Sequence, residues 1–433
     1  MGHGMLFSVC AAPLLALGCS ERGDDPVPVE PYVLTGINFS PYVDGQDPTL
    51  GTVVSYDQMW ERMLLVEQDA EWIRTFSVTH GLETAGEIAH QLGKKAAVGA
   101  WLGPDQEANA IEVAALVELA QAGDVDLAIV GSEVLLRGDL TLEELLAHVQ
   151  VVRAQIPATI PVSSAEIYPI YLAEPELMDA VDVALVNYYP YWSGVPIEDA
   201  VARLHCWHAA VQAAADGKQV IVSETGWPSA GDPVGAALPT PQNAAWYFQE
   251  FTSWAREQEV FFFYFAALDE EWKALYEGPQ GAHWGIRDKQ GLLKPGMNKV
   301  FQGYTVAGNW QFDPLPGGPG TAQIELTFVP PLGSLQDLVG QIWHVNPPSY
   351  RVAVYIRVDG GWWTKPYWST PLTVVDCAGS WVCDITTGGH DETADRIAAF
   401  LLPVGVEAPA MSGGGELPSS LYENSVAYVV VDR

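Results

Sequence analysis

The chain has 433 residues and a formal net charge of −34, from 54 Asp and Glu against 20 Lys and Arg. Such a surface argues against nucleic acid, anionic lipid and acidic polysaccharide as partners, because holding a polyanion depends on Lys and Arg displacing its counterions; a neutral polymer meets no such penalty. With 48% hydrophobic residues, 16 Trp and 17 Tyr, the composition is globular and rich in rings, which serve both ordinary cores and sugar binding. The length accommodates one barrel of roughly 250 residues and a second, smaller domain.

At the start, Met5 to Leu17 is an apolar run too short to span a bilayer comfortably, followed by Gly18 and Cys19. It resembles a bacterial lipoprotein signal over residues 1–19, with Cys19 the lipidated residue and Ser20 directing the product to the outer membrane. Residues 20–31 (S-E-R-G-D-D-P-V-P-V-E-P) read as a solvated tether. The expected location is therefore extracytoplasmic: an outer-membrane or cell-surface lipoprotein with membrane contact only through the anchor at Cys19, or alternatively a secreted or periplasmic protein.

From Tyr32 onward, short apolar strands alternate with helical patterns. The predicted strands are Tyr32–Asn38, Glu71–Phe76, Lys95–Trp101, Ala128–Glu133, Ile160–Glu166, Asp182–Asn187, Gln219–Glu224 and Phe261–Ala266. Helices are predicted to include Met59–Gln68 and Ala110–Ala122. The strands begin about 32 residues apart, the length of a βα unit with its connections. Eight such units over residues 32–304 predict a (β/α)8 TIM barrel, with its site at the C-terminal strand ends. A doubly wound open sheet is the structural alternative, but no Gly-rich phosphate loop opens any of the helices.

Two strand ends carry the chemistry. The seventh predicted strand runs into S-E-T-G-W-P-S, placing Glu224 at the end of a buried β-branched run, with turn-formers around Trp227 after it. The fourth ends V-G-S-E-V-L-L-R, placing Glu133 at a second strand end. An isolated strand-end Glu more often pairs with an Arg than does chemistry; here there are two, at matching places. The E-T-G-W-P-S string resembles the nucleophile signature of glycoside hydrolase family 17, retaining enzymes on a (β/α)8 barrel that act on β-1,3-glucans, and the Glu133 segment resembles its acid/base motif.

The resemblance covers residues 32 to about 300 and implies Glu224 as nucleophile and Glu133 as acid/base. Ser132 stands where the family usually has an Asn that contacts the sugar 2-hydroxyl. Arg74, ending strand two, is implied to orient the Glu224 carboxylate. Further implied substrate-binding residues are Asn38, Tyr42, Glu166, Asn187, Tyr189, Trp192, Trp227, Tyr264, Glu270 and Lys273, with Tyr189 lining the subsite next to the cleaved bond. Where family members often carry a further Glu four residues before Gly285, this chain has Gly281, and Glu277 is the nearest substitute. Such chemistry requires no metal or organic cofactor. His205, Cys206 and His208 lie within an amphipathic helical stretch without a spaced second pair of ligands, which favours a structural role.

Residues 305–320 form a Pro/Gly-rich linker, and 321–433 become strand-like. Predicted strands are Gln323–Phe328, Arg351–Val358, Leu372–Val375, Trp381–Ile385 and Ala427–Val431, with a short helical stretch near Glu392 to Phe400, giving a mainly-β, sandwich-like domain. Cys377 and Cys383 flank A-G-S-W-V and are expected to form a hairpin disulfide in an oxidising compartment. Trp362, Trp363, Tyr367 and Trp368 make the densest aromatic cluster, suited either to stacking on glycan or to packing.

The expected activity is endo-acting hydrolysis of β-1,3-glucan by a monomer. Two alternatives stay open: a β-1,3-glucan transglycosylase, and a glucan-binding envelope protein that keeps the cleft without turnover.

Overall fold

The structure is a computed structural model that describes residues 30–308, 310, 315–368 and 370–433. The lipoprotein signal at Cys19 and nearly all of the tether lie outside the described residues.

Eight parallel strands form the first unit: β1 (Leu34–Asn38), β2 (Ala70–Arg74), β3 (Lys95–Ala100), β4 (Leu127–Ser132), β5 (Val162–Ile167), β6 (Ala184–Asn187), β7 (Val220–Glu224) and β8 (Phe263–Tyr264). They pair in sequence order from β1 to β7, with β8 beside β1. A parallel bridge between Val222 and Phe262 joins β7 to the segment entering β8 and completes the ring. Helices between the strands, including Gln106–Ala122, Leu142–Gln155, Ala200–Ala214 and Pro241–Glu257, cover the outside.

Because side chains alternate along a strand, each strand feeds two cores. Ala97, Leu127, Ile129, Ala165, Leu185, Ile221 and Phe263 fill the lumen. Ile37, Ile73, Val98, Val130, Val186, Val222 and Tyr264 belong to the larger core that includes the helices. Phe263 needs space in the lumen, and Gly36 provides it: a Cβ there would lie 2.4 Å from the Phe263 ring.

Nine further strands form the second unit: β9 (Gln323–Phe328), β10 (Leu338–Trp343), β11 (Tyr350–Val358), β12 (Gly361–Lys365), β13 (Leu372–Val374), β14 (Ser380–Cys383), β15 (Arg396–Pro403), β16 (Ser412–Gly414) and β17 (Ala427–Asp432). One sheet is ordered β14-β10-β9; the other is β16-β12-β11-β15-β17, with β13 also on β11. Ile324, Leu338, Ile342 and Trp381 of the first meet Val352, Val354, Ile397 and Leu401 of the second in one core. This is a sandwich. The opposite face of the larger sheet, with Tyr355, Trp362 and Phe400, is covered by Met411 and by Leu421 of the helix Ser419–Asn424.

The helix expected near Glu392 to Phe400 is corrected to a strand, β15, preceded by a 3-10 turn at Asp391–Thr393. Both faces of β15 are buried, so the sequence shows an unbroken apolar run without alternation, which periodicity alone cannot assign. The hairpin disulfide is also corrected. Cys377 pairs with Cys206 of the helix Ala200–Ala214, while Cys383 is a free, buried thiol. The two cysteines of the hairpin face different cores: Cys377 packs with the barrel and Cys383 lies inside the sandwich. The disulfide ties the two units together, with Arg203 3.9 Å from Asp376 beside it. Within the expected linker, Trp310 is buried against the barrel and donates to Glu257 at 2.9 Å.

Candidate active site

Three strand ends bring the acidic groups together. In the register of the sheet, Asn38 pairs with Arg74, Ser132 with Ala165, and Asn187 with Glu224. Strand β4 stops at Ser132, one residue before the carboxylate. Glu133 itself has φ 54° and ψ 32°, a left-handed conformation that costs an L residue roughly 1–2 kcal/mol. That turn redirects the side chain at the strand end, where it stays half-buried. On the other strand, Gly226 allows close passage: a Cβ there would lie 1.9 Å from the Phe265 carbonyl oxygen.

Glu224 is clamped. Its Oε1 accepts from Arg74 at 2.7 Å and from Ser132 Oγ at 3.3 Å, and its Oε2 accepts from the Tyr189 hydroxyl at 2.7 Å. Arg74 is buried and also donates to Asn38 Oδ1 at 2.6 Å, to the Ser223 carbonyl at 3.0 Å and to Ser132 Oγ at 3.2 Å. Asn38 in turn donates to the Ser223 and Phe263 carbonyls, both at 3.0 Å. The nucleophile candidate therefore rests on a lattice anchored in β1, β2, β4 and β7.

Glu133 has no such cation. Its Oε1 accepts from Asn187 Nδ2 at 2.8 Å, and Asn187 is fixed by accepting from Ser223 Oγ at 2.6 Å. Burial, followed by the charge of Glu224, pushes the Glu133 carboxyl up to about 7, against smaller opposing effects from Asn187 and Arg137. Arg137 is directed elsewhere: it donates to the Ser132 and Leu102 carbonyls and to Asp139, and lies 4.3 Å over the Trp101 ring.

Rings wall the site. The Tyr189 ring meets Trp284 and Phe265 at centroid distances of 5.4 and 5.9 Å, and Trp192, 39% exposed, lies 5.7 Å from Trp284. On one ring of this wall, Phe265, Lys273 sits at 4.2 Å, paired with Glu270 at 2.6 Å. Tyr42 packs edge-on against Trp272, whose indole N–H donates to Glu270 at 2.9 Å.

Four of the residues expected to bind substrate are buried against protein partners. Strand alternation turns Tyr264 away from the lumen, into the helix Pro241–Glu257 against Phe248 and Phe251. Trp227 is buried on Tyr191 and Tyr247, its indole N–H donating to the Leu238 carbonyl at 2.9 Å. Asn38 is fully buried under Arg74. Glu166 is fully buried too, and its Oε1 accepts from the backbone N–H of Leu135 at 2.7 Å, supporting the turn that carries Glu133.

Other members lie outside the expected set. Glu277 accepts from the Trp284 indole at 2.8 Å, and burial raises its pKa, opposed first by Lys273 and augmented by Glu224, so it belongs to the same cluster. Its sequence signal was the resemblance, which implies a Glu four residues before Gly285 and left Glu277 as the nearest substitute. Trp101, 44% exposed just beyond β3, is a strand-end aromatic that the strand pattern could have flagged. His205 accepts from the Trp254 indole at 2.9 Å, and His208 packs edge-on against Trp254, so these histidines are structural.

Residues 36–285, more than half of the chain, match the BtgE/BtgC glycoside hydrolase domain. The chain belongs to this glycoside hydrolase family. It is 34% identical over 217 residues to a glucan 1,3-beta-glucosidase of Arthroderma benhamiae, covering 46% of this chain and 70% of that protein. To a probable glucan endo-1,3-beta-glucosidase, btgC, of Aspergillus fumigatus it is 27% identical over 228 residues, 46% of this chain but 33% of that protein. The chain thus spans only about a third of that relative's length. Among solved structures, a glycoside hydrolase family 17 beta-1,3-glucanosyltransferase from Rhizomucor miehei superposes with a TM-score of 0.54 at 28% identity, covering 61% of this chain and 96% of that one. An active-site mutant of the same enzyme has been solved in complex with laminaritriose. The family match lies in the barrel unit.

Proposed function

We propose that the chain is a retaining hydrolase of β-1,3-glucan, endo-acting, with Glu133 as acid/base and Glu224 as nucleophile. The observation that carries this reading is the asymmetry of the two carboxyls: Glu133, half-buried and pushed up to about 7 by burial and by the charge of Glu224, and Glu224 itself, in the grip of Arg74 and Tyr189. In the first step Glu133 gives its proton to the glycosidic oxygen as that bond breaks, and a Glu224 oxygen bonds to the anomeric carbon, forming a glycosyl ester. In the second step Glu133, now ionised, takes a proton from water, and the hydroxide oxygen displaces Glu224. Tyr189 and Arg74 hold Glu224 for in-line attack and stabilise it as the leaving group. The 1,3-β-glucosidase activities for which the fungal relatives are named support the choice of a β-1,3-glucan.

Release of reducing sugar from laminarin by wild type and Glu224→Ala tests this. Wild type is expected to release sugar from β-1,3-glucan and the variant none; equal inertness on β-1,3, β-1,4 and β-1,6 glucans overturns it, and binding without product assigns the cleft to recognition alone. The similarity to a glucanosyltransferase favours one second reading, transfer to a sugar acceptor in place of water. Products longer than the donor at high oligosaccharide concentration identify that outcome.

The protein is proposed to act outside the cytoplasm as a monomer tethered through lipid at Cys19. The disulfide Cys206–Cys377 supports an oxidising compartment. Incorporation of labelled palmitate that disappears in Cys19→Ala is the expected result; equal labelling of both contradicts the anchor.

A further inference from the structure

We propose that the sandwich carries a second sugar site, in the hollow beside β12, that holds a neutral β-glucan chain; the choice of ligand rests on the function proposed for the barrel. The hollow measures about 550 Å³, within the roughly 300–1,000 Å³ common for small-molecule sites. Trp363, Tyr367 and Trp368 line it, together with Lys365, Thr387 and Asp391.

Packing accounts for Trp363, which lies against the sandwich core, but not for the other two rings. Trp362 is buried in the sheet's outer core, whereas Tyr367 and Trp368 are 53% and 59% exposed and belong to neither core. Adjacent large rings left open beside a concavity mark a binding surface. The Trp368 indole N–H donates to the Met411 carbonyl at 3.2 Å, which fixes the ring. A fixed aromatic face stacks on the apolar face of a pyranose at little entropic cost.

The polar floor selects against charge. Lys365 and Asp391 form a buried ion pair; Lys365 also donates to Thr387 Oγ1 at 2.9 Å, and Asp391 accepts from the Gly388 N–H at 2.9 Å. The Lys365 cation is already matched by Asp391, and of the other titratable groups on the lining Asp359 is acidic and His390 lies 4.0 Å from Glu392, so the hollow is poorly suited to a phosphate or a uronate. Sugar hydroxyls, which both donate and accept, can meet Asp391 and Lys365 without disturbing the pair. The net charge of −34 disfavours an anionic glycan further.

The test uses the full chain as wild type and as Tyr367→Ala/Trp368→Ala, with two readouts: hydrolysis of soluble laminarihexaose, and retention on insoluble β-1,3-glucan. The variant is expected to keep soluble hydrolysis within twofold and its melting temperature, while retention falls at least fivefold; Trp368→Phe, which keeps a ring, recovers part of it. Unchanged retention, or no retention of wild type, overturns the second site. So does a change of oligomeric state on substitution, measured by sedimentation, which gives the surface to a second copy. Absence of soluble hydrolysis in wild type contradicts the barrel's proposed activity and leaves the retention comparison readable by itself.

Discussion

Raising the pH from 5 to 8 forces a half-buried carboxyl, Glu133, to ionise beside a second carboxylate. In the proposed mechanism the first chemical step consumes the protonated form, so kcat/KM on laminarin is expected to fall as pH rises through about 7, the value to which burial and Glu224 push Glu133. The same shift acts on stability. Between the ordinary value of 4.5 and about 7 the folded chain binds more protons at this position than the unfolded chain, so stability falls with rising pH across that window and levels off above it. Glu133→Gln removes the burden; its melting temperature relative to wild type is expected to be higher at pH 8 than at pH 5. On activity, loss of the acid is expected to cost about 10²–10⁴-fold with a poor leaving group and much less with an activated aryl leaving group, read by comparing the two substrates. Arg74 is the complementary case. Replacing it by Met leaves Glu224 buried without its cation, with an expected loss of roughly 3–5 kcal/mol in denaturant unfolding.

At the scale of single elements, the turn after β4 does the positioning. Glu133 occupies a left-handed conformation, and the Glu166 carboxyl beneath it accepts from the Leu135 N–H. Removing that support in Glu166→Ala is expected to lower kcat by up to about 10²-fold, the scale of an ångström's misplacement, with KM little changed. A rise in KM at constant kcat would instead make Glu166 a sugar contact. Much of this was legible in the sequence. Strand-end acids and turn-formers marked Glu133 and Glu224, and a strand-two Arg marked Arg74, because buried parallel strands read as short apolar runs and chemistry collects at their C-terminal ends. Two features blurred the rest. Burial on both faces hid the alternation of β15, and a residue's strand position did not say whether it faced the lumen, as Phe263 does, or the helices, as Tyr264 does. The disulfide was unreadable for another reason: Cys206 and Cys377 are 171 residues apart and meet only because the two units dock.

For the molecule as a whole, the Cys206–Cys377 bond closes a long loop across the two units, and cross-links of that kind contribute about 2–5 kcal/mol. Cys377→Ser, or mild reduction of the wild type, is expected to lower the melting temperature while leaving laminarihexaose hydrolysis at low temperature within twofold, since neither cysteine touches the cleft. Loss of activity without loss of stability would instead couple the sandwich to catalysis. The barrel brings two acids distant in sequence close enough for the charge of Glu224 to act on Glu133, with Ser132, the residue before Glu133, hydrogen-bonded to Glu224. The proposed direct attack by Glu224 dictates the stereochemistry of the product, and proton NMR of the first sugars released from laminarihexaose, recorded before mutarotation, reads it. The account predicts that the β-anomer appears first; initial release of the α-anomer would contradict the double displacement and the roles given to both acids.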